Sequence, residues 1–217
     1  QGLCDMNPAY GRAKYVQGNE VKNRDHLRED ELQEFLQRLE DPNNYALMTL
    51  AVKLLALTFV RPGELRGAAW SEINEKEKLW VIPASRMKIK REHLVPLSRQ
   101  ALATIAEIRK LTGDGDLLFP GRTRSKKPVS DVGLIKVVKK LTASKATPHG
   151  FRHTASTILN EKGFNYDHIE KQLAHVEKSK VRGAYNKAIY LEDRKTLLQW
   201  WADFLDQKRK EEKRDAA

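Results

Sequence analysis

The sequence predicts a mostly α domain carrying one small antiparallel β-sheet, an α+β arrangement. Three observations lead there. From Asp30 onward apolar residues recur at helical spacing in segment after segment, with short polar or glycine- and proline-containing joints between them. Two short runs, LWVIP and HLVPL, are rich in β-forming residues and flank the basic connection RMKIKRE. There is no internal repeat, and one cysteine, Cys4, leaves no internal disulfide and no cysteine-based zinc scaffold.

The elements follow in order. Residues 1–25 show little periodicity and read as a linker. A helix beginning near Asp30 places Leu32, Phe35, Leu36 and Leu39 on one face, and a mostly apolar helix follows over 43–59. Pro62 suits the first turn of a short helix over 62–68, where its missing N–H costs nothing. The two β-like runs come next, and Ser98 is placed to cap a helix over 99–111. GDGDLLFPGRTRSKKP reads as a loop. Helices near 130–141, 150–162, 166–174 and 177–187 follow, and a last one over 191–209 gathers Leu191, Leu197, Leu198, Trp201, Phe204 and Leu205 beside Trp200. Its apolar face could dock on its own domain or on a neighbouring protomer. Residues 26–209 form the expected folded domain, and 210–217 a charged tail.

Composition narrows the partners. The 217 residues suffice for one large or two small domains, and 40 Lys and Arg against 29 Asp and Glu give a formal charge of +11. Such an excess points to a polyanion, because neutralised phosphates release counterions; a merely solvated basic surface is the plainer reading. The apolar run TLAVKLLALTFV is broken by Lys53 and is too short to span a bilayer. A lone cysteine and no signal peptide suit a reducing cytosol.

The chemistry concentrates in TPHGFRHTAS. His149 and His153 are four residues apart, a spacing that can hold zinc from one helix face. The residues between them are Gly150, Phe151 and Arg152, with no glutamate, and a permanently charged guanidinium beside a dication is unfavourable. A guanidinium matches phosphate oxygens instead, and His149 stands at the helix start. FVRPGEL places Arg61 at another helix start with Glu64 three residues on, either holding the arginine or complementing the helix dipole. RMKIKRE adds Lys88, Lys90 and Arg91, and further along come His175 and Tyr185.

Taken together, these boxes resemble the catalytic domain of the tyrosine recombinases, of the phage and prophage integrase type. FVRPGEL matches the family's first arginine box with Arg61 and Glu64, and RMKIKREHLVPL its lysine hairpin with Lys88. The H-x-x-R-H box is matched by His149, Arg152 and His153, the L-x-H box by His175, and the nucleophile, nine or ten residues later, by Tyr185. The resemblance runs from about residue 26 to about 205 with every box in order; in Val60-Arg61-Pro62 the residues flanking Arg61 depart from those many members carry there, and no catalytic position is changed. It implies the tyrosine recombinase catalytic-domain fold over residues 26–209, with residues 1–25 the linker from upstream DNA-binding domains, Arg61, Lys88, His149, Arg152, His175 and Tyr185 catalytic, and Glu64 and His153 supporting. A basic surface of Arg86, Lys90, Arg91, Lys126, Lys127, Lys178, Lys180 and Arg182 would bind DNA.

Elementary chemistry supports those roles. Two arginines on the non-bridging oxygens of a phosphodiester stabilise the charge of a pentacoordinate transition state without a metal. A tyrosine nucleophile conserves the bond as a 3′-phosphotyrosyl ester, and His149 or His175 could take its proton. The leaving 5′-oxygen needs a proton from a lysine; family position selects Lys88, while strand alternation leaves Lys90 a rival. Of the other tyrosines, Tyr190 competes most directly with Tyr185, since Tyr10, Tyr15, Tyr45 and Tyr166 lie away from the basic boxes. The implied activity is site-specific recombination between double-stranded DNA attachment sites, integrating or excising a phage or mobile element, without cofactor or metal. A homotetramer on DNA is expected of the full-length protein, with room for a directionality factor or host DNA-bending protein, in the cytoplasm of a bacterial host, at the nucleoid and away from membranes. The alternatives are a type IB topoisomerase-like relaxing enzyme acting as a monomer, and a basic DNA-binding module without catalysis.

Overall fold

The computed structural model describes residues 25–88, 90–121, 127–175 and 190–211. Eight α-helices stand among them: α1 (Leu32–Arg38), α2 (Ala46–Thr58), α3 (Pro62–Arg66), α4 (Arg99–Thr112), α5 (Asp131–Leu141), α6 (Gly150–Glu161), α7 (Tyr166–Gln172) and α8 (Leu191–Lys210). The mostly helical reading holds. Ser98 caps α4 by accepting from the Ala101 N–H at 3.2 Å, and Ser130 caps α5 through the Gly133 N–H at 3.0 Å. Pro62 opens α3. The helix expected over 177–187 lies outside the described residues.

The sheet is three-stranded and antiparallel, in the order β1 (Ile73–Asn74), β2 (Leu79–Ile82), β3 (His93–Pro96). The two runs read as strands pair in the register Leu79 to Pro96, Trp80 to Val95, Val81 to Leu94 and Ile82 to His93. β1 is an addition, only two residues long and too short to show alternation. Trp80, Ile82, His93 and Val95 face the core. The basic connection is not a continuation of either strand. It forms a 3₁₀ turn at Ala84–Arg86 and then a tight turn in which Lys90 adopts φ 50°. Strand alternation therefore does not relate Lys88 to Lys90.

α2 runs through the middle of the molecule, with Ala51, Val52, Leu54 and Leu55 fully buried. α8 lies across it, packed also against α1, α4, α7 and β3. Leu197, Leu198, Trp201 and Leu205 are buried along that face; Trp201 donates its indole N–H to the Ala56 carbonyl at 2.8 Å and meets the Phe59 ring edge-on. The apolar face thus packs within the domain, the first of the two docking readings left open by the sequence. Among the described residues no helix is long and apolar enough to cross a membrane.

Two turns bring distant segments to one place. α2 ends at Phe59 in the left-handed conformation, φ 39°, with its N–H on the Leu55 carbonyl at 2.8 Å. α7 ends in a turn where Ala174 takes φ 49°. The start of α6 is pinned to residues 25–27: the Asp25 carbonyl accepts from the Thr147 N–H at 3.1 Å, and Thr154 Oγ1 donates to the Leu27 carbonyl at 2.8 Å. Gly150 is required there, since a Cβ would stand 2.2 Å from the Asp25 oxygen.

Candidate active site

Arg61 stands at the N-cap of α3, where its backbone N–H donates to Glu64 Oε2 at 2.9 Å. Its guanidinium donates through Nη1 to Glu64 Oε1 at 2.8 Å and through Nη2 to the Ala174 carbonyl at 2.8 Å. Glu64 is buried, while the Arg61 side chain keeps 24% of its surface open. Both readings of Glu64 are realised, since one carboxylate caps the helix and fixes the arginine.

Arg152, in the first turn of α6, is buried at 4% exposure. Nη1 donates to the Phe59 carbonyl at 2.8 Å, and Nη2 to the Leu173 carbonyl at 2.5 Å. Burial first, and then the nearby charge of Arg61, pull its pKa down to about 10 against the partial compensation of Glu64 and Glu170. It stays protonated at neutral pH.

His175 completes the described cluster. Its Nε2 lies 3.3 Å from Arg152 Nη2, and its Nδ1 lies 2.9 Å from Glu170 Oε2. A guanidinium is a donor only, so Nε2 accepts there and Nδ1 carries the proton toward Glu170. Nearly half of this side chain is exposed. His149 is the half-buried N-cap residue of α6. His153 is exposed, its ring 6.0 Å from those of His149 and His26. Among the described residues no three His, Cys, Asp or Glu side chains are grouped to hold a metal.

The remaining candidates divide. Lys88, Lys90 and Arg91 are exposed on the turn before β3, and Lys127 is exposed at the end of its loop. Arg86 is turned inward: its guanidinium pairs with the buried Glu72 and donates to the Glu64 carbonyl at 2.5 Å. Gly67 leaves room for it, since a Cβ there would sit 2.8 Å from Arg86 Nη2. This ion pair holds the Arg86 guanidinium against the domain, with 24% of the side chain still exposed. Tyr185, Lys126, Lys178, Lys180 and Arg182 lie outside the described residues. Tyr190, the rival nucleophile, caps α8 with φ 45° and packs its ring 4.7 Å from that of His168.

Several residues beside the site escaped the sequence reading. Glu170 orients His175, and its signal was a carboxylate one helical turn before the L-x-H box. His93 is buried against Arg194, Arg152 and Arg61; burial first, then those three charges, pushes its pKa down to about 3. Gln172 and Arg194 form a buried pair behind the arginines.

The sequence profile of the phage integrase family matches residues 25–192. The integrase of Enterobacteria phage P4 is 37% identical over 222 residues, covering 94% of this chain and 51% of its own length. Prophage integrase IntA of Escherichia coli (strain K12) is 37% identical over 209 residues, covering 94% and 50%. The chain spans about half the length of these curated relatives. Among solved structures, the Tn1549 transposon integrase in complex with circular intermediate DNA superposes with a TM-score of 0.64 at 16% identity, over 89% of this chain and 71% of that one. A lambda integrase tetramer bound to a Holliday junction gives 0.59 at 17%, over 77% and 52%. At such identities the structures establish a shared fold, and the profile and the curated relatives carry the rest: the chain belongs to the phage integrase family of tyrosine recombinases.

Proposed function

We propose that this chain is the catalytic domain of a site-specific recombinase that cleaves and rejoins double-stranded DNA through a 3′-phosphotyrosyl intermediate. One observation carries the reading: Arg61 and Arg152, from segments far apart in sequence, converge with His175 on the single turn at Leu173–Ala174. Two guanidiniums fixed in advance suit the non-bridging oxygens of one scissile phosphate, and they require no reorganisation as charge develops. Their fork geometry adds a preference for a tetrahedral anion over a point charge.

The steps follow from the atoms. The Tyr185 hydroxyl attacks phosphorus while its proton passes to a base. His175 Nε2 becomes such a base once the bound phosphate takes over the Arg152 Nη2 hydrogen that Nε2 accepts in the free site, with Glu170 holding the ring through Nδ1. The same Nε2–H then serves as a donor to a non-bridging oxygen. Lys88, exposed on its turn, protonates the departing 5′-oxygen, and reversal with a DNA hydroxyl as nucleophile reseals the strand. The DNA complexes of the Tn1549 and lambda integrases support DNA as the partner, and the lambda tetramer supports a tetramer for the whole protein. Attachment sites, a mobile genetic element as the cargo and a cytoplasmic site of action belong to the same proposal.

The test is a DNA duplex nicked so that cleavage traps the covalent adduct. Wild-type protein should form a phosphotyrosyl adduct, Tyr185→Phe should form none, and Tyr190→Phe should retain it. An adduct peptide containing Tyr190 would overturn the nucleophile assignment. Relaxation of supercoils by a strict monomer, without strand exchange, would replace recombination by topoisomerase action.

A further inference from the structure

Behind the two arginines lies a buried polar pair to which neither the motifs nor the family match assigns a role. Gln172 and Arg194 are 0% and 2% exposed. Arg194, on α8, donates Nε and Nη2 to Gln172 Oε1 at 3.1 and 2.6 Å, and Nη2 also reaches the Leu94 carbonyl on β3. The guanidinium is a donor only, so the amide orientation is forced: Oε1 faces Arg194, and Nε2 donates to the Thr58 carbonyl at 3.1 Å. His93 adds a hydrogen bond to the Gln172 backbone.

The two ends of this side chain are where the arginines are held. Thr58 immediately precedes Phe59, whose carbonyl accepts from Arg152 Nη1. Gln172 immediately precedes Leu173 and Ala174, whose carbonyls accept from Arg152 Nη2 and Arg61 Nη2. Phe59 and Ala174 both sit at positive φ, 39° and 49°, a region that residues with a Cβ avoid unless their surroundings hold them. A single amide therefore spans the two turns that aim three carbonyls at the catalytic guanidiniums.

We propose that Gln172, oriented by Arg194, is a positioning residue that sets the spacing of Arg61 and Arg152 for the scissile phosphate. This rests on the site being a phosphodiester site, as proposed above. Gln172 acts only through the two turns, and the pair links α8 to the arginines of α3 and α6. A uniformly structural role would cost stability and activity together, whereas a positioning role selectively costs the part of catalysis that the arginines supply.

The test compares Gln172→Glu, Gln172→Ala, Arg194→Met and Arg194→Lys with wild type in single-turnover cleavage of a trapping DNA duplex. Gln172→Glu still accepts from Arg194 but turns an acceptor toward the Thr58 carbonyl, breaking one end of the span. Gln172→Ala breaks both ends without adding charge and stands in if the glutamate variant fails to fold. A misplacement on the ångström scale costs about 100-fold, so the rate constant of folded protein should fall about 10- to 100-fold, with DNA affinity and its salt slope unchanged. Arg194→Lys should rescue less than half of the Arg194→Met defect on a logarithmic scale, because one ammonium cannot reproduce the fork. The decisive readout is a second duplex carrying a methylphosphonate at the scissile position. It lacks one anionic oxygen and leans less on the arginines, so the variants' defect should shrink at least several-fold. An equal defect on both duplexes, or unchanged rates in folded variants, overturns the positioning role. Failure of wild type to form any adduct would instead overturn the reading of the site itself.

Discussion

Arg152 is anchored by two backbone carbonyls rather than by a carboxylate, which sets how its replacement should read out. Arg152→Ala removes a preorganised donor, worth roughly 3–4 kcal/mol of transition-state stabilisation. It also strands two buried carbonyls at about 1–3 kcal/mol each, so urea unfolding should register it as strongly as cleavage does. Arg61→Ala should match it in cleavage but lose less stability, because that side chain is partly open and its partner Glu64 keeps the Arg61 N–H. Arg86→Ala should do the reverse, destabilising by about 3 kcal/mol because the buried Glu72 loses its counter-charge and is left with the Trp80 indole N–H, while leaving the DNA affinity of folded protein intact. His93 gives a pH signature. Its folded pKa of about 3 lies below the ordinary value of 6.5, so the unfolded chain binds the extra proton. Stability from this group is complete above pH 6.5 and declines as pH falls toward 3, by up to about 1.4 kcal/mol per unit. His93→Gln should flatten that part of the urea-unfolding profile between pH 6 and 4. The charged members of the site were legible because each sits in a spaced motif. Their acceptors were not, because the carbonyls of Phe59, Leu173 and Ala174 belong to the backbone and carry no residue signature. Arg194 did leave a trace: it falls in helical step with Leu198, Trp201 and Leu205 on the buried face of α8, and a charge inside an apolar stripe has to be explained.

At the level of elements, α8 is a core helix. Truncation after Ile189 removes Trp201 and the rest of a buried face, and a single buried Trp→Ala change already costs about 3–5 kcal/mol. The truncated chain should therefore lack a cooperative unfolding transition altogether, losing single-site cleavage and recombination alike; retained cleavage would show that the helix is dispensable. Most helix starts were readable because serine and proline caps act locally, as Ser98, Ser130 and Pro62 do. The basic connection between β2 and β3 was legible as a connection, but the alternation that made Lys90 a rival of Lys88 was not a safe guide inside it. Its lysines alternate like a strand, yet Lys90 adopts φ 50° and breaks the pleat, a conformation that no side chain in the segment announces.

For the molecule as a whole, the excess of 40 basic over 29 acidic residues predicts DNA binding that weakens by about 0.9 log unit per log unit of salt for each phosphate neutralised. Filter binding of unrelated duplexes should give nearly the same slope, since phosphate contacts position without specifying. The fold class was legible because helical periodicity is repeated along the chain. The cis docking of α8 was not, because an apolar stripe does not name the groove that receives it. Gly150 offers one more measurement. Gly150→Ala sets a Cβ 2.2 Å from the Asp25 oxygen, and it should free residues 25–27 and make the bonds after Arg24 and Arg28 more sensitive to trypsin in the native state. The stitching of that segment to α6 has a mechanical meaning. A pull on Asp25 passes through the Asp25 and Leu27 carbonyls to Thr147, just before the helix that carries Arg152, and to Thr154 within it. The chain thereby acts as a tether whose point of attachment is the catalytic helix, and a pull on it bears on the position of Arg152 before it bears on any other arginine of the site.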